Sequence, residues 1–376
     1  MRASDSDFQM LVVNVLLPTV IAILLLLGYQ HRIRNPDELG LGKQTTTYIP
    51  YKQGFPIHVN HIDFTDSLWM PYEHDTAKDI NLWMGNSQLH GINQYRIGQK
   101  NSVEFCFDSL AKLNGHVLGI SYPNANLQEL LLTVLYTTSR FPVKSIVLPV
   151  FYDDMREDGI RARLKDFLAD FVSNSTSRQY IMDIPGILAM DKSKITANER
   201  DEMKALQQTP QETSEIYLDQ QLRDAWTIWD KRYTIRSNLF YDLYNIKNDA
   251  FGIKSNTERK MIPGRYQVNF LAFINILKYC QEKNILVNIY IPPLRNDVDP
   301  PYNISKYKKF IEDVASQGRK YNAQFFNFED IVPPAFWGST LSGFTNKTQN
   351  IDFMHFQEGG HKILGDTIYQ ILKSQD

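Results

Sequence analysis

From residue 80 onward, short apolar runs alternate with segments whose apolar residues recur at helical spacing, and this alternation constrains the fold more than any other feature. The runs "INLWMG" (80–85), "HVLGIS" (116–121) and "ILVNIYIPP" (285–293) are typical of strands, whereas "NLQELLLTVLYTTSR" (126–140) is typical of an amphipathic helix. Strands that alternate with helices predict a parallel sheet with helices on both faces. The strands are almost continuously apolar, as expected when both faces of a sheet are covered. We therefore predict an α/β fold.

The alternation is interrupted between residues 160 and 260. This interval is polar and rich in helical patterns, and it contains the aromatic stretch "AWTIWDKRYTIRSNLFYDLYNI" (225–246). We interpret it as a helical insertion in a domain that spans residues 79–376, rather than as a second independent domain. Its aromatic side chains could form the core of a cap, a lip near a membrane or a partner-binding surface. Residues 31–78 are predicted to form an irregular stalk and lead-in.

The N-terminus contains a long apolar run. From Phe8 to Tyr29 the chain carries no charged residue, and a helix of this length can cross a hydrocarbon core of about 30 Å. The flanks "MRASDSD" and "GYQHRIRN" do not resemble those of a cleaved signal peptide. We therefore predict that residues 1–30 form an uncleaved transmembrane anchor.

Composition excludes several classes of function. The 43% hydrophobic and 12% aromatic content is enough for a core, and the formal net charge of -2 gives no basic excess for a nucleic-acid partner. Cys106 and Cys280 are too few for a disulfide framework and lack metal-site spacing, and a bridge between them is not indicated. His90 and His361 form no metal-binding pattern with acidic residues, so neither a metal nor another cofactor is expected.

A serine stands where the first strand turns into a helix. Ser87 follows that strand after Gly85, and ligands collect at the carboxyl ends of strands in open parallel sheets. A serine hydroxyl needs a base, and the base needs an orienting group. In "NIDFMHFQEGGHKIL", Asp352 can reach Nδ1 of His355 while Nε2 faces outward. We predict Ser87 as the nucleophile, His355 as the base and Asp352 as the orienting acid; the alternative is a helix-capping Ser87 and a surface Asp–His pair.

An oxyanion hole needs two or three donors, and the first two candidates lie near the ends of neighbouring strands. The backbone N–H of Ser87 is one, and its neighbour Asn86 is a candidate for oxyanion or substrate binding. After the second strand, in "SYPNANLQE", the backbone N–H of Asn124 or Ala125 is another, because asparagine tolerates the left-handed region.

Two further loops offer polar candidates. In "FYDDMRED", Tyr152 could donate a hydrogen bond, whereas Asp153 could not while ionised; a solvated turn is the alternative interpretation of this loop. In "PPLRNDVDPPYN", Arg295 and Asn296 could hold a polar substrate, although such loops are often turns.

Three segments together carry a family resemblance. "GNSQL" (85–89), "IPPLRNDVDPPY" (291–302) and "DFMHFQEGGHKI" (352–363), with the N-terminal anchor, resemble the SGNH (GDSL-like) hydrolase superfamily over most of residues 78–374. Within it, the chain is most similar to DltD-type and related proteins that accompany membrane-bound O-acyltransferases. The resemblance implies a three-layer α/β/α, flavodoxin-like sheet and a Ser–His–Asp triad. The chain departs from the family where "PVFYDDMRE" stands in place of the Gly-x-Asn-Asp block and where "SYPNANLQE" shows no plain glycine block.

The resemblance also implies a function outside the membrane. It suggests a serine acyltransferase or esterase that takes part in O-acylation, by acetylation or D-alanylation, of an extracytoplasmic cell-surface polymer with a membrane-bound O-acyltransferase as partner. A non-catalytic scaffold for such an acyltransferase and a simple carbohydrate or lipid esterase remain alternatives. Arg32, Arg34 and Lys43 favour a cytoplasmic domain by the positive-inside rule, but the rule is weak for long translocated domains. Because a surface polymer requires it, we expect residues 35–376 outside the membrane.

Overall fold

A computed structural model gives the structure of most of the chain. It describes residues 12–29, 50–60, 66–74, 80–174, 177–188, 190, 210–254, 256–342 and 348–375. The described residues group into two compact units. The first holds 12–29, 210–253, 342 and 348, and the second holds the others.

Parallel strands form the central sheet of the second unit. A small antiparallel hairpin of β1 (Tyr51–Lys52) and β2 (Phe55–Pro56) comes first. The sheet then contains β3 (His58–Val59), β4 (Ile80–Gly85), β5 (His116–Ser121), β6 (Val143–Pro149), β7 (Leu286–Ile291) and β8 (Gln324–Asn327). Their order is β3-β5-β4-β6-β7-β8, and every neighbouring pair is parallel. The predicted α/β fold with a parallel sheet is confirmed.

The strand order reverses at β4. The chain passes from β4 to β5 on one side and then to β6 on the other side. Crossovers that leave a strand in opposite directions open a crevice at its carboxyl end, which is where ligands bind in such sheets. Ser87 follows β4 at this crevice. β4 and β5 are buried along their whole length, which explains why their sequences are continuously apolar.

Between and around these strands, the described residues form α-helices. In chain order they are α1 (Leu17–Tyr29), α2 (Asp66–His74), α3 (Ser87–His90), α4 (Ser102–Leu110), α5 (Leu127–Arg140), α6 (Ala162–Asn174), α7 (Pro185–Leu188), α8 (Pro210–Ala225), α9 (Thr227–Asp230), α10 (Arg232–Ala250), α11 (Pro263–Glu282), α12 (Ile304–Lys320) and α13 (Glu358–Lys373). Two of them begin with capping boxes, in which Asn101 pairs with Glu104 and Asn126 with Glu129. Each box satisfies backbone donors at a helix start, so these starts are encoded locally.

Two helical layers cover the sheet. One contains α4 and α13, and the other contains α5, α11 and α12. The first pair approaches very closely, because a Cβ at Gly365 of α13 would lie 2.6 Å from the backbone oxygen of Ser102 in α4. Cys106 and Cys280 are buried in α4 and α11, and both are free thiols.

The lead-in predicted to be irregular contains regular elements. The hairpin β1–β2, the edge strand β3 and the helix α2 all lie between residues 50 and 74. β3 has only two paired residues, too few to show a strand period in the sequence. Trp69 and Tyr72 of α2 are fully buried, which ties this segment to the core.

The first unit contains α1 and α8 to α10. A π-helical turn, Val12–Leu16, precedes α1, and the apolar side chains of both are largely exposed. None of the helices in the described part of the chain combines the length and apolar character needed to cross a membrane. Residues 1–11 and 30 of the predicted anchor lie outside the described residues.

A separate two-stranded sheet comes near the end of the sequence. It consists of β9 (Trp337–Ser342) and β10 (Thr348–Phe356), and β10 leads directly to α13. Asp352 and His355 therefore lie in a strand that does not belong to the central sheet.

Candidate active site

The nucleophile candidate lies at the first position of a very short helix. Asn86 adopts an extended conformation and caps α3, since its Oδ1 accepts a hydrogen bond from the backbone N–H of Gln88 at 3.0 Å. Ser87 is the first residue of α3 and is half-buried. The turn after β4 thus presents the serine hydroxyl at the switch-point crevice.

The structure brings Ser87, His355 and Asp352 together. Ser87 Oγ lies 2.8 Å from His355 Nε2, and His355 Nδ1 lies 3.0 Å from Asp352 Oδ2. The histidine side chain is 16% exposed and the aspartate 5%. The hydroxyl lies within hydrogen-bond distance of the ring nitrogen, as the sequence predicts. A base with one nitrogen on a hydroxyl and the other on a carboxylate is arranged to accept the proton of that hydroxyl.

The Asp352 carboxylate receives hydrogen bonds from several donors. The backbone N–H groups of Met354 and His355 each donate to Oδ1 at 2.9 Å, and Asn93 Nδ2 donates to Oδ2 at 2.9 Å. Burial alone would raise the pKa of this carboxyl, but the charge and hydrogen bonds of His355, with these backbone donors, hold the pKa below its ordinary value. Asp352 is therefore kept as the carboxylate that orients the imidazole.

Asn93 is itself fixed in place. It is buried, its Oδ1 accepts from the backbone N–H of Ser339 at 3.3 Å, and its own backbone N–H donates to Phe356 at 3.0 Å. Gly338 permits this packing, because a Cβ at that position would lie 1.9 Å from Cγ of Asn93. The sequence analysis did not identify Asn93, whose contact with Asp352 joins residues 259 apart.

Gln88 links the serine turn to two other segments. Its buried side chain donates to the backbone oxygen of Pro293 at 3.0 Å and to that of Met354 at 2.7 Å. Pro293 follows β7, and Met354 stands next to His355 in β10. The residue after the nucleophile thus ties it to the strand that carries the base.

The predicted oxyanion candidates near α3 and β5 differ from one another in exposure and hydrogen bonding. The side chain of Asn86 is engaged inside the protein, because it caps α3 and donates from Nδ2 to Asp154 at 3.0 and 3.3 Å. Asn124 adopts the left-handed conformation (φ 51°) that its residue type suggested, and it is exposed. The N–H of Ala125 donates to the backbone oxygen of Tyr122 at 3.1 Å, so it is already paired.

Tyr152 and Asp153 also bind within the protein. Tyr152 is buried, and its ring packs on those of Tyr302 and Phe310. The Asp153 carboxylate pairs with the guanidinium of Arg259 and accepts the Tyr302 hydroxyl at 2.9 Å. The carboxyl that reaches the serine turn belongs to the next residue, Asp154, which accepts a hydrogen bond from Asn86 Nδ2.

The remaining predicted residues line an open pocket. Its volume is about 440 Å³, and it is lined by Leu294–Pro300 with Glu329 and Asp330. Arg295 pairs with Asp297 at 2.7 Å and donates to the backbone oxygen of Gly338 at 3.0 Å, and Asn296 donates to Asp330 at 3.1 Å. Arg295 and Asn296 thus lie in the loop after β7, and Asp330, which binds Asn296, follows β8.

Buried histidines outside the Ser87–His355–Asp352 series also form internal hydrogen bonds. His361 contacts Ser102 through Nδ1 at 2.9 Å and the backbone oxygen of Gly91 through Nε2 at 3.2 Å. Ser121 Oγ lies between His58 Nε2 at 2.8 Å and His90 Nδ1 at 2.7 Å, and all three residues are buried. Among the described residues, no group of three or more His, Cys, Asp or Glu side chains is arranged to hold a metal ion.

Comparisons with known proteins add little to this geometry. No family model matches the chain, and the curated proteins contain no match. Two solved structures are similar at 10% sequence identity and a TM-score of 0.36. One is a proposed acylhydrolase from Bacteroides fragilis (84% of this chain and 99% of that chain), and the other a proposed GDSL-like lipase from Parabacteroides merdae (80% and 97%). At this similarity, the functional argument rests on the residues of the site.

Proposed function

We propose that this chain is a serine ester hydrolase or acyltransferase. The observation that carries the proposal is the hydrogen-bonded series from Ser87 Oγ through His355 to Asp352, with distances of 2.8 and 3.0 Å. It stands at the strand-order reversal where ligands bind in such sheets. The half-buried hydroxyl and the partly exposed imidazole are accessible to a substrate, and the carboxylate behind them is sealed.

The proposed reaction proceeds in two steps. Ser87 Oγ attacks the carbonyl carbon of an acyl ester and its proton passes to His355 Nε2, while Asp352 stabilises the resulting imidazolium. The C–O bond to the alcohol then breaks, and the alcohol leaves with that proton. In the second step, water or an acceptor hydroxyl loses its proton to His355 and attacks the acyl-serine; the C–O bond to Ser87 Oγ then breaks, and Oγ takes the proton back from His355. Water as acceptor gives hydrolysis, and a polymer hydroxyl gives acyl transfer.

The resemblance to DltD-type proteins supports a more specific role. We place the chain in O-acylation of an extracytoplasmic surface polymer, beside a membrane-bound O-acyltransferase that supplies the acyl group. The uncharged run from Phe8 to Tyr29 supports a membrane anchor, and the apolar side chains of its described part are exposed and need an apolar environment.

This role requires residues 35–376 outside the membrane. Protease treatment of intact spheroplasts tests the location, since digestion of the large domain only after membrane opening would contradict it.

An active-site probe tests the chemistry. A fluorophosphonate reacts with an activated serine, so the wild-type protein is expected to be labelled and the Ser87→Ala and His355→Ala variants are not. Each variant should keep the melting temperature and circular dichroism of the wild type. Labelling of Ser87→Ala at the wild-type rate would place the reactive serine elsewhere and remove the basis of the proposal.

A non-catalytic scaffold is the second candidate, and one observation favours it. Tyr152, the side-chain donor expected in the loop after β6, is buried with its ring against Tyr302 and Phe310. In cells that lack the chain, a Ser87→Ala copy should not restore polymer acylation if the chain is an enzyme. Full restoration by that copy would favour the scaffold.

A further inference from the structure

The side chain next to the nucleophile is bound by a buried carboxyl that no sequence pattern indicated. Asn86 Nδ2 donates to Asp154 Oδ1 at 3.0 Å and to Oδ2 at 3.3 Å. Both residues are almost fully buried, with exposures of 4% and 3%. A hydrogen bond buried in this way holds both side chains in place, because water cannot replace either partner.

The pair spans the crevice between two neighbouring strands. Asn86 follows β4, whereas Asp154 lies in a 3₁₀ turn, Asp153–Arg156, after β6. On its other side, the serine turn is held by Gln88, whose partners follow β7 or lie in β10. Asp154 therefore provides the link between the turn and β6.

The Asn86 side chain transmits this link to Ser87. Its Nδ2 is fixed by Asp154, and its Oδ1 accepts from the backbone N–H of Gln88 at 3.0 Å. The same amide group is thus held at both ends, and its hydrogen bond with Gln88 spans Ser87, which lies between Asn86 and Gln88 in the chain. A rotation of the Asn86 side chain would break the cap of α3 and displace the serine.

We infer that Asp154 is a positioning residue, which acts through Asn86 to hold Ser87 Oγ in line with His355. The inference rests on the proposed function. Because burial raises the pKa of the Asp154 carboxyl well above its ordinary value, a neutral side chain of the same shape is the appropriate replacement. The amide oxygen that Asp154→Asn introduces could still accept the hydrogen bond from Asn86, whereas the methyl group that Asp154→Ala leaves could not.

The experiment measures inactivation of the full-length protein in detergent by a fluorophosphonate and separates KI from kinact. Asp154→Ala is expected to lower kinact about 10- to 100-fold with KI unchanged, because a misplaced nucleophile reacts slowly with an equally well-bound reagent. Asp154→Asn should stay within about threefold of wild type. Asn86→Ala combined with Asp154→Ala should be no slower than Asn86→Ala alone, since the second change acts through the first.

Asn275→Ala is the matched control. Asn275 is a buried asparagine in α11 whose Nδ2 donates to the backbone oxygen of Tyr180 at 2.7 Å, away from the serine turn. It should lower the melting temperature and leave kinact unchanged, which separates positioning from general loss of stability.

The possible failures are distinguishable. If the wild-type protein is not labelled, or if Ser87→Ala is labelled equally well, the proposed function fails. If labelling depends on Ser87 but Asp154→Ala keeps the wild-type kinact, or if the effects of the two alanine substitutions multiply, the positioning inference alone is wrong. A loss of kinact in Asp154→Asn as large as that in Asp154→Ala would also contradict it.

Discussion

Two serine–histidine contacts lie at the ends of adjacent strands, and their distances hardly differ. Ser87 Oγ lies 2.8 Å from His355 Nε2 just beyond β4, and Ser121 Oγ lies 2.8 Å from His58 Nε2 at the end of β5. Gly85 and Ser121 are paired across the two strands, so the contacts are close in the fold as well as similar. Distance alone does not distinguish a candidate nucleophile from a structural hydroxyl.

Their surroundings differ in access and in the third group. Ser87 is half-buried and its histidine contacts the Asp352 carboxylate, whereas Ser121 is fully buried and its hydroxyl contacts a second imidazole, His90. A carboxylate stabilises an imidazolium as it forms, and the Ser121–His58 contact has a second imidazole in that place instead. The comparison shows that exposure and the acid, rather than the Ser–His distance, distinguish the candidate nucleophile from the structural hydroxyl.

The two contacts are expected to differ most in activity when the serine hydroxyl of each is removed. Ser87→Ala should lower ester hydrolysis by about 10⁵- to 10⁶-fold, as for other triad nucleophiles. Ser121→Ala should leave the rate within about threefold and lower the unfolding free energy by about 1–2 kcal/mol, because buried imidazoles lose a partner. Hydrolysis of a chromogenic ester and urea denaturation measure the two quantities. Equal loss of activity in both variants would show that the buried contact takes part in the chemistry.

The acid behind His355 should have the next largest effect. Asp352→Asn keeps the shape of the side chain but loses the charge and favours the wrong tautomer of the imidazole, so kcat should fall about 10³- to 10⁴-fold. Steady-state kinetics from pH 6 to about 9 measure the loss. A decrease in kcat of less than tenfold would mean that the Ser87–His355 contact, like the Ser121–His58 contact, does not depend on a carboxylate.

The hydrogen bond that Asn93 donates to Asp352 should have a smaller effect on kcat. Asn93→Ala removes the hydrogen bond to Asp352 Oδ2 but leaves the two backbone donors in place, so we expect kcat to fall about 10- to 100-fold. Gln94→Ala is the control, because that neighbouring side chain is exposed and donates to Ser339 instead. Full activity of Asn93→Ala would show that the backbone donors are sufficient.

The smallest expected effect is a pH dependence of stability that comes from His58 in the Ser121–His58 contact. Burial lowers the pKa of His58 from 6.5 to about 4, so the folded chain stays neutral there while the unfolded chain takes up a proton below about pH 6.5. Stability is therefore lost as the pH falls from 6.5 towards 4, by about 2 kcal/mol at pH 5. Chemical denaturation at pH 7 and 5 should show a smaller decrease for His58→Gln. If His58→Gln loses as much stability between pH 7 and 5 as the wild type, other groups take up the proton on unfolding.

Local patterns accounted for most of the fold and for the residues of the triad. The run "INLWMG" coincides with β4, and "HVLGIS" with β5, because buried parallel strands need continuous apolar sequence. Ser87 could be found because strand ends in such a sheet converge, and Asp352 and His355 because three residues separate them. The tight Asp–His spacing is a local property that a chain shows without being folded.

The contacts that hold these residues could not be predicted, because each joins distant segments. Asn93 and Asp352 are 259 residues apart, and Asn86 and Asp154 are 68 apart. Their side chains meet only when β6 and the β9–β10 sheet have taken their places beside β4. Asn93 is one polar residue among many in the sequence, and only tertiary structure distinguishes it from an ordinary loop asparagine.

Gly338 has a consequence for how natural variants of this chain are to be judged. It has no side chain, takes no part in the proposed proton transfers and lies 14 residues before Asp352 in the sequence. A methyl group there would nonetheless collide with Asn93 and push it away from the acid. Exchange of glycine for alanine, usually regarded as mild, should therefore be inherited as a loss-of-function allele, and a second change that shortens residue 93 should relieve the collision without restoring the missing hydrogen bond.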